Sequence, residues 1–332
     1  MEDTVMNAST EEIVQYQEVI ESVRKEIAKV LIGQEEVVEQ LLLAVFASGH
    51  ALLEGVPGLG KTLLVRSLAE AFELSFNRIQ FTPDLMPADI IGTNILQVEE
   101  NQRKSFQFQM GPVFAHVLLA DEINRATPKT QSALLEAMQE HTVSVSGHTY
   151  RLPEPFFVLA TQNPLEQEGT YPLPEAQMDR FLFKINVPFP TERELKEIVL
   201  QTTTNVAKKI NKIADGEEIQ KVQQIAREIL VADQVLDYAV SILVSTHPNH
   251  INQSIQKYVR SGAGPRGLQA IINTAKVRAL TKGRYNVSFD DIKAVALPAL
   301  RHRILLNFEG EASGITTDQL ILELLATLET NK

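Results

Sequence analysis

Short, wholly apolar segments alternate with longer amphipathic segments along the first 187 residues of the chain. The apolar segments predict strands that are buried on both faces of a sheet. In the segments between them, apolar residues recur every three or four positions, which predicts helices with one buried face. The predicted strands are residues 50–54, 79–81, 117–120, 156–160 and 182–187, and the predicted helices are residues 13–29, 35–46, 61–72 and 129–139. This alternation predicts an α/β fold, with helices on both faces of a parallel sheet.

Two polar insertions interrupt the alternation. Each has two strand-like arms around a polar turn, which predicts hairpins over residues 94–109 and 142–152. After residue 190 the pattern becomes helical, with predicted helices at 192–201, 217–230, 234–244, 267–281, 290–300 and 318–328. Residues 205–216 are a predicted polar connector, and residues 309–314 a predicted flexible turn. We therefore expect an α/β core over residues 1–189 and a smaller all-α domain over residues 190–332.

The composition is that of a globular protein, and the net charge and the absence of Cys argue against several classes of partner and site. Of the 332 residues, 44% are hydrophobic and 22% are charged, which excludes a fibrous or wholly disordered chain. The net charge of −11 argues against broad binding to nucleic-acid phosphates. The absence of Cys excludes disulfides, thiolate metal sites and a Cys nucleophile.

Neither the first residues nor the most apolar segment of the chain predicts export or membrane insertion. The first residues are acidic, whereas a secretory signal needs basic residues before an apolar stretch. The most apolar segment, residues 41–47, is far shorter than the roughly 20 residues that cross a bilayer. We therefore expect a soluble, cytoplasmic protein without membrane insertion.

Residues 55–62 match the phosphate-binding pattern G-x-x-x-x-G-K-[ST] and lie between a predicted strand and a predicted helix. The backbone N–H groups of such a loop can cradle phosphate oxygens. Lys61 can reach the β- and γ-phosphates, and Thr62 can hold Mg²⁺. The predicted nucleotide-binding residues are Gly55, Val56, Pro57, Gly58, Leu59, Gly60, Lys61, Thr62 and Leu63. The loop therefore predicts a nucleotide site that uses Mg²⁺.

Polar residues follow two of the buried strands. Asp121 and Glu122 come at the carboxyl end of the strand at 117–120, where open α/β sheets bind ligands. Asp121 can assist Mg²⁺, and Glu122 can orient and polarise an attacking water. Asn163 follows the next strand and should lie beside Glu122, where its amide can hold that water or a γ-phosphate oxygen. The structural alternatives are an acidic strand end that begins a turn and an Asn that caps a turn before Pro164.

Two arginines are candidates for contact with a γ-phosphate. Arg180 stands just before the last predicted strand, and Arg266 stands at the start of a predicted helix. An Arg supplied to the γ-phosphate raises the rate of hydrolysis by roughly 10³ to 10⁵. Taken alone, each arginine is more often a surface charge or an ion-pair partner.

The order of these features along the chain resembles that of an AAA+ ATPase. The phosphate loop comes first, then the acidic pair, the Asn and the two arginines, and the last arginine lies in a helical domain. Residues 121–126 (Asp-Glu-Ile-Asn-Arg-Ala) and 163–181 (Asn-Pro-Leu-Glu-Gln-Glu-Gly-Thr-Tyr-Pro-Leu-Pro-Glu-Ala-Gln-Met-Asp-Arg-Phe) resemble the MoxR family in particular. The resemblance extends from about residue 33 to about residue 303, where Leu-Arg-His-Arg resembles a late motif of the family's lid.

The resemblance implies a role for each candidate residue. The hairpin at 94–109 corresponds to the helix-2 insert, and the hairpin at 142–152 to the one before sensor 1. One departure is Gly264, where the family usually has Ser, so the helix that carries Arg266 lacks a side-chain cap. The implied roles are Walker A for Lys61 and Thr62, Walker B for Asp121 and Glu122, sensor 1 for Asn163, the arginine finger for Arg180 and sensor 2 for Arg266.

The resemblance also implies the activity and the partners. It implies a Mg²⁺-dependent ATPase in a homo-oligomeric ring, usually a hexamer, that remodels or matures partner proteins. The implied partners are a von Willebrand factor A domain protein or a metalloenzyme client. Related AAA+ clades leave a metal-chelatase motor subunit and a nucleic-acid translocase as alternatives.

The charges of the hairpin tips bear on the translocase alternative. A translocase needs basic residues there to grip phosphates. The tip at 99–104 has two acidic and two basic residues, and the tip at 146–148 is Ser-Gly-His. We therefore expect no stable nucleic-acid partner. A nucleotide-gated scaffold without turnover is disfavoured by the presence of Glu122 and Arg180.

Overall fold

The computed structural model describes residues 10–98, 104–164, 169–203, 209–250 and 252–330. The strands are β1 (Ala51–Glu54), β2 (Phe76–Gln80), β3 (Gly92–Val98), β4 (Lys104–Met110), β5 (Val117–Asp121), β6 (Thr142–Val145), β7 (His148–Arg151), β8 (Phe157–Gln162), β9 (Phe183–Asn186), β10 (Val259–Ser261) and β11 (Leu305–Leu306). The helices up to β9 are α1 (Thr10–Ala28), α2 (Glu35–Phe46), α3 (Lys61–Ala71), α4 (Pro87–Ile91), α5 (Pro128–Glu140) and α6 (Glu175–Met178). The later helices are α7 (Glu192–Thr202), α8 (Gly216–Glu228), α9 (Asp233–Ser245), α10 (Gln253–Tyr258), α11 (Pro265–Thr281), α12 (Phe289–Leu300), α13 (Phe308–Ala312) and α14 (Thr317–Thr330).

The central sheet is parallel and has the strand order β2-β5-β8-β1-β9. The strand that leads into the phosphate loop, β1, lies beside β8, and β8 lies beside β5. The carboxyl ends of these three strands therefore meet at one edge of the sheet. That edge carries the phosphate loop, the acidic pair and Asn163.

The three central strands, β1, β5 and β8, contribute alternate side chains to two separate cores. Leu53, Leu119 and Leu159 belong to the core on one face, together with buried residues of α1, α2, α3 and the later helices. Leu52, Leu118 and Val158 belong to the core on the other face, together with buried residues of α4 and α5. Because both faces are covered, these strands are apolar along their whole length. The predicted parallel sheet with helices on both faces is confirmed.

Both predicted hairpins are present. In the hairpin of β3 and β4, Leu96 lies opposite Phe106, and the tip at residues 99–103 falls outside the described residues. In the hairpin of β6 and β7, Val143 lies opposite Tyr150. The rings of Phe108 and Tyr150 stack with their centroids 4.1 Å apart, so the two hairpins contact each other.

From residue 192 on, the described residues are mainly helical, and α11 packs against α1 and α2. The prediction of a flexible turn over 309–314 is wrong for its first residues, which belong to α13. This helix begins at Phe308 because the side chain of Asn307 accepts a hydrogen bond from the N–H of Gly310 at 2.9 Å. Residues 204–208, which include most of the lysine-bearing start of the predicted connector, lie outside the described part.

Among the described residues, no helix combines the length and the hydropathy needed to cross a bilayer.

A buried carboxylate joins α11 to α12. Asp291 accepts hydrogen bonds from Arg278 Nη1 and Arg284 Nη2, both at 2.7 Å, and from the N–H and hydroxyl of Ser288, both at 2.8 Å. Its side chain is fully buried, whereas the two guanidinium groups are partly exposed.

We predict that Asp291→Asn lowers the free energy of unfolding by about 2 kcal/mol, because it leaves two guanidinium groups without their shared anion. Asp290→Asn is the matched control, since this neighbouring carboxylate is 86% exposed. The midpoint of urea denaturation, followed by circular dichroism, measures both effects. Equal midpoints for the two variants would show that the buried cluster does not stabilise the fold.

Candidate active site

The phosphate loop leaves the carboxyl end of β1 and enters α3. Gly58 and Gly60 have φ angles of 84° and 77°, in the left-handed region that glycine adopts most readily. Lys61 Nζ donates a hydrogen bond to the carbonyl of Gly55 at 2.6 Å. Gln34 Nε2 donates to the carbonyl of Leu59 at 2.8 Å. The loop is therefore closed by its own lysine and fixed from outside by an amide.

The Lys61 amine is partly buried and lies near three carboxylates. Its burial lowers the pKa of the amine, and the carboxylates of Asp121, Glu122 and Glu54 act against that shift. The structure thus brings the predicted lysine and the predicted acidic pair into one electrostatic cluster. Glu54 also forms an ion pair with Lys184 of β9 at 2.9 Å.

A single hydroxyl on β8 orients both members of the acidic pair. Thr161 Oγ1 donates to Asp121 Oδ1 at 2.5 Å and accepts a hydrogen bond from the N–H of Glu122 at 2.8 Å. Glu122 has a φ angle of 56°, which costs a non-glycine residue of order 1–3 kcal/mol. This left-handed conformation ends β5. The Glu122 side chain therefore does not follow the alternating up-and-down directions of the strand's side chains.

Residues of β2 and of the turn after β5 hold the two carboxylates. Arg78 Nε and Nη2 donate to Asp121 Oδ2 at 3.1 and 2.7 Å. Gln80 Nε2 donates to Glu122 Oε2 at 2.6 Å, and Arg125 Nε lies 3.0 Å from the same oxygen. Sequence analysis did not identify Arg78, Gln80 or Thr161 as part of the site. The available signal was a pair of polar residues, 78 and 80, on either side of the buried Ile79, but the predicted strand began only at residue 79.

Asn163, Thr62 and Leu63, the remaining predicted residues of this edge, lie at the end of β8 and at the start of α3. Asn163 is buried and follows β8, whose neighbour β5 leads to Glu122. Thr62 and Leu63 are in the first turn of α3, and Leu63 is half exposed. The chain thus presents a hydroxyl, an ammonium group, two carboxylates and an amide at one end of the sheet.

An apolar cavity of about 340 Å³ borders the phosphate loop. One wall is residues 30–32, between α1 and α2, and the opposite wall includes Leu195 and Ile198 of α7. A mainly apolar cleft beside a phosphate loop is suited to the planar base of a nucleotide. Sequence analysis missed this cavity, because its walls are about 160 residues apart in the chain.

Gly33 allows the two walls to approach. It has a φ angle of 71°, and a Cβ atom at this position would overlap the side chain of Glu194 in α7. In α7 none of the side chains is buried, so its position depends on a small number of contacts. Gln201 Nε2 provides another one, a hydrogen bond to the carbonyl of Lys29 at 3.2 Å.

The two predicted arginines lie in a different cavity, of about 250 Å³. Arg180, Arg266 and Arg303 are among its lining residues, and no residue of the phosphate loop is. Arg303 Nε donates to Asp179 Oδ1 at 2.8 Å, whereas Arg266 Nη1 is 3.9 Å from Asp179 Oδ2. Within the described residues, the Arg180 side chain has no hydrogen bond or ion pair. The cavity therefore carries an excess of positive charge.

The Leu-Arg-His-Arg motif fixes the segment that carries Arg180. Arg303 Nη2 and His302 Nε2 donate to the carbonyl of Phe181 at 2.7 and 3.0 Å. Arg301 Nη1 donates to the carbonyl of Lys184 at 3.3 Å. Burial lowers the pKa of His302 well below its usual value, so this imidazole is neutral. The motif is a structural contact between the helical region and the start of β9.

Comparison with known proteins gives the family. The profile of the ATPase family associated with various cellular activities (AAA) matches residues 50–183, and that of the AAA lid domain matches residues 251–324. The chaperone MoxR1 of Mycobacterium tuberculosis is 44% identical over 91% of this chain and 80% of its own length. The chain belongs to the MoxR family of AAA+ ATPases. A protein MoxR of Methylorubrum extorquens is 32% identical over 85% of this chain and 86% of its own.

A solved structure agrees with this assignment to the MoxR family. A candidate ATPase from Cytophaga hutchinsonii has a TM-score of 0.88 and 40% identity, and the match covers 95% of this chain and 96% of that one. The AAA+ fold predicted from the sequence, a parallel-sheet core followed by a helical lid, is therefore confirmed. The family is one of nucleotide-binding ATPases, and it includes a protein named as a chaperone.

We predict that Gly33→Ala weakens nucleotide binding by about tenfold, because the new methyl group must displace the Glu194 side chain, which accepts a hydrogen bond from the N–H of Thr191 at the start of α7. Gly314→Ala is the matched control, since Gly314 has a φ of 67° but open space around it. Titration with a fluorescent ADP analogue measures both variants. If the two substitutions weaken binding equally, backbone strain rather than the approach of α7 is responsible.

Proposed function

We propose that this MoxR-family protein hydrolyses ATP with Mg²⁺ in a ring of identical subunits and uses the cycle to remodel or mature partner proteins. The observation that carries the proposal is the cluster of Lys61, Asp121 and Glu122 at the phosphate loop, beside an apolar cavity. These are the groups that hydrolysis of a nucleoside triphosphate needs, and they lie at one edge of the sheet.

Nucleotide binding uses groups that now bind one another. The Lys61 amine exchanges the carbonyl of Gly55 for β- and γ-phosphate oxygens, and the loop N–H groups surround the phosphates. The base enters the cavity between residues 30–32 and α7. Since phosphate oxygens are charged acceptors, the lysine gains stronger hydrogen bonds than the carbonyl provides.

The residues at this edge fit Mg²⁺. Thr62 and Asp121 offer hard oxygen donors, and the phosphates complete the set. Among the described residues, no three His, Cys, Asp or Glu side chains form a cluster that could hold a metal on their own. When bound, the metal neutralises charge on the β- and γ-phosphates.

Glu122 is the residue that orients and polarises the attacking water. Its left-handed backbone directs the carboxylate out of the strand, and Asn163 supplies a second polar group at the adjacent strand end. Gln80 and Arg125 both contact Oε2 of Glu122, so these contacts leave the other carboxylate oxygen to accept a proton from water.

Arg180 and Arg266 act on the nucleotide of a neighbouring subunit. Their cavity is separate from the phosphate loop of their own chain. Asp179 pairs with Arg303 and, at 3.9 Å, with Arg266, so one carboxylate faces three guanidinium groups in this cavity. The remaining positive charge is available to an anion brought by another molecule. A contact between this cavity and the phosphate loop of the next subunit is head-to-tail, and such contacts close into a ring. The family resemblance favours six subunits.

The partner is assigned by family alone. The relative from M. tuberculosis is named as a chaperone, which supports a role in remodelling proteins. A von Willebrand factor A domain protein or a metalloenzyme is the partner that the family resemblance favours. The paired hairpins of β3–β4 and β6–β7 expose Leu96 and Phe106, an apolar surface suited to polypeptide rather than to phosphates.

The test of ATP hydrolysis compares two substitutions at the cluster. We predict that Glu122→Gln binds ATP as tightly as the unmodified protein but loses at least roughly 100-fold in turnover, because the amide keeps the shape and removes the base. Lys61→Ala should weaken ATP binding by roughly 10- to 100-fold, because a charged hydrogen bond to phosphate is lost. Phosphate release and equilibrium titration with ATP measure the two effects. Unchanged turnover in Glu122→Gln would exclude Glu122 from the reaction.

A further inference from the structure

Arg78 is a residue of the site that the proposed mechanism does not use. It lies on β2, an edge strand, and directs two N–H donors at one oxygen of Asp121. The other oxygen of Asp121 is occupied by the hydroxyl of Thr161. Both carboxylate oxygens that could serve a metal are therefore already bound, and one of them is bound by a cation.

The geometry of the sheet produces this contact. Arg78 and Gln80 are two residues apart and point to the same face, and Gln80 lies directly opposite Asp121 in the parallel register. Arg78 Nη2 also donates to Gln80 Oε1 at 2.9 Å, which fixes the direction of the guanidinium group. The Arg78 side chain is 47% exposed and that of Asp121 is 14% exposed. A half-exposed cation thus covers a largely buried carboxylate.

We propose that Arg78 is the resident counter-ion of Asp121, which Mg²⁺ must displace, and that it thereby limits how strongly the metal tightens nucleotide binding. The inference rests on the proposed function, because it takes Asp121 as the carboxylate on the metal side. Arg78 and Mg²⁺ are both positively charged and need the same carboxylate. The metal therefore binds at the cost of separating Arg78 from Asp121.

The same contact has the opposite effect when no metal is present. Without Arg78, Asp121 would present an uncompensated negative charge to the incoming phosphates. Arg78 therefore strengthens the binding of nucleotide without metal and weakens the binding of nucleotide with Mg²⁺. Its removal must lower the first affinity and raise the second. A residue that only stabilises β2 would change both affinities alike.

The experiment measures the affinity of the full-length protein for ADP, which is not hydrolysed, in excess Mg²⁺ and in EDTA. The quantity of interest is the ratio of the dissociation constant in EDTA to that in Mg²⁺. We expect Arg78→Gln to raise this ratio by about fivefold or more relative to the unmodified protein. Arg78→Lys keeps the charge but not the two-point contact, so its ratio should fall between the other two.

Two controls separate this effect from a loss of structure or of charge in general. Arg66→Gln removes a guanidinium group from α3, where Arg66 pairs with Glu70, and should leave the ratio unchanged within about twofold. Thermal melting identifies any variant that does not fold, and Arg78→Lys then carries the test.

The outcomes are distinguishable. An unchanged or reduced ratio in the folded Arg78 variants, with ADP still bound, overturns the role of Arg78 and leaves the proposed function intact. Failure of the unmodified protein to bind ADP under either condition overturns the proposed function itself.

Discussion

The half-buried ammonium group of Lys61 lies where the carboxylates of Glu54, Asp121 and Glu122 meet at one edge of the sheet. Burying so many charges is costly unless each one has a partner. Each carboxylate accordingly has a second cation: Lys184 for Glu54, Arg78 for Asp121 and Arg125 for Glu122. Each of the three carboxylates is thus compensated by a cation without a ligand. A nucleotide and its metal must exchange these contacts rather than fill an empty space.

Much of the sheet and of its chemistry follows from local patterns in the sequence. Strands covered on both faces, such as β5, are apolar without interruption, and the polar residues that end them had to lie at the same edge. The phosphate loop was recognisable because its glycines and lysine have fixed spacing. The late Arg-His-Arg motif was recognised by resemblance, and its carbonyl contacts near Arg180 emerged only in three dimensions.

The features that sequence analysis missed depend on contacts between distant segments. The walls of the apolar cavity come from segments before the first and after the last strand of the sheet, and the need for glycine at position 33 becomes clear only from its contact with Glu194. Arg78 and Gln80 are the polar residues of an ordinary alternating edge strand. Only the register of β2 with β5, which places Gln80 opposite Asp121, shows that they belong to the site. The short helix α13 was predicted as a turn, because a five-residue helix has too few positions to show a period and depends on its cap at Asn307.

The account also implies that one chain holds an incomplete site. The phosphate loop borders one cavity, whereas Arg180 and Arg266 line another, where the Arg-His-Arg motif fixes the backbone of the segment that carries Arg180. The loop and its carboxylates can bind and orient a nucleotide. In the proposed ring, a neighbouring subunit supplies the remaining positive charge.

Mixing two inactive variants tests this most directly. Lys61→Ala lacks the loop lysine and Arg180→Ala lacks the arginine, so we expect each to be nearly inactive alone. In an equal mixture of exchanging subunits, about a quarter of the interfaces would combine an intact loop with an intact arginine, and ATPase activity should return. The contradicting result is a mixture that stays inactive although labelled subunits exchange, together with a linear loss of activity when Arg180→Ala is titrated into the unmodified protein.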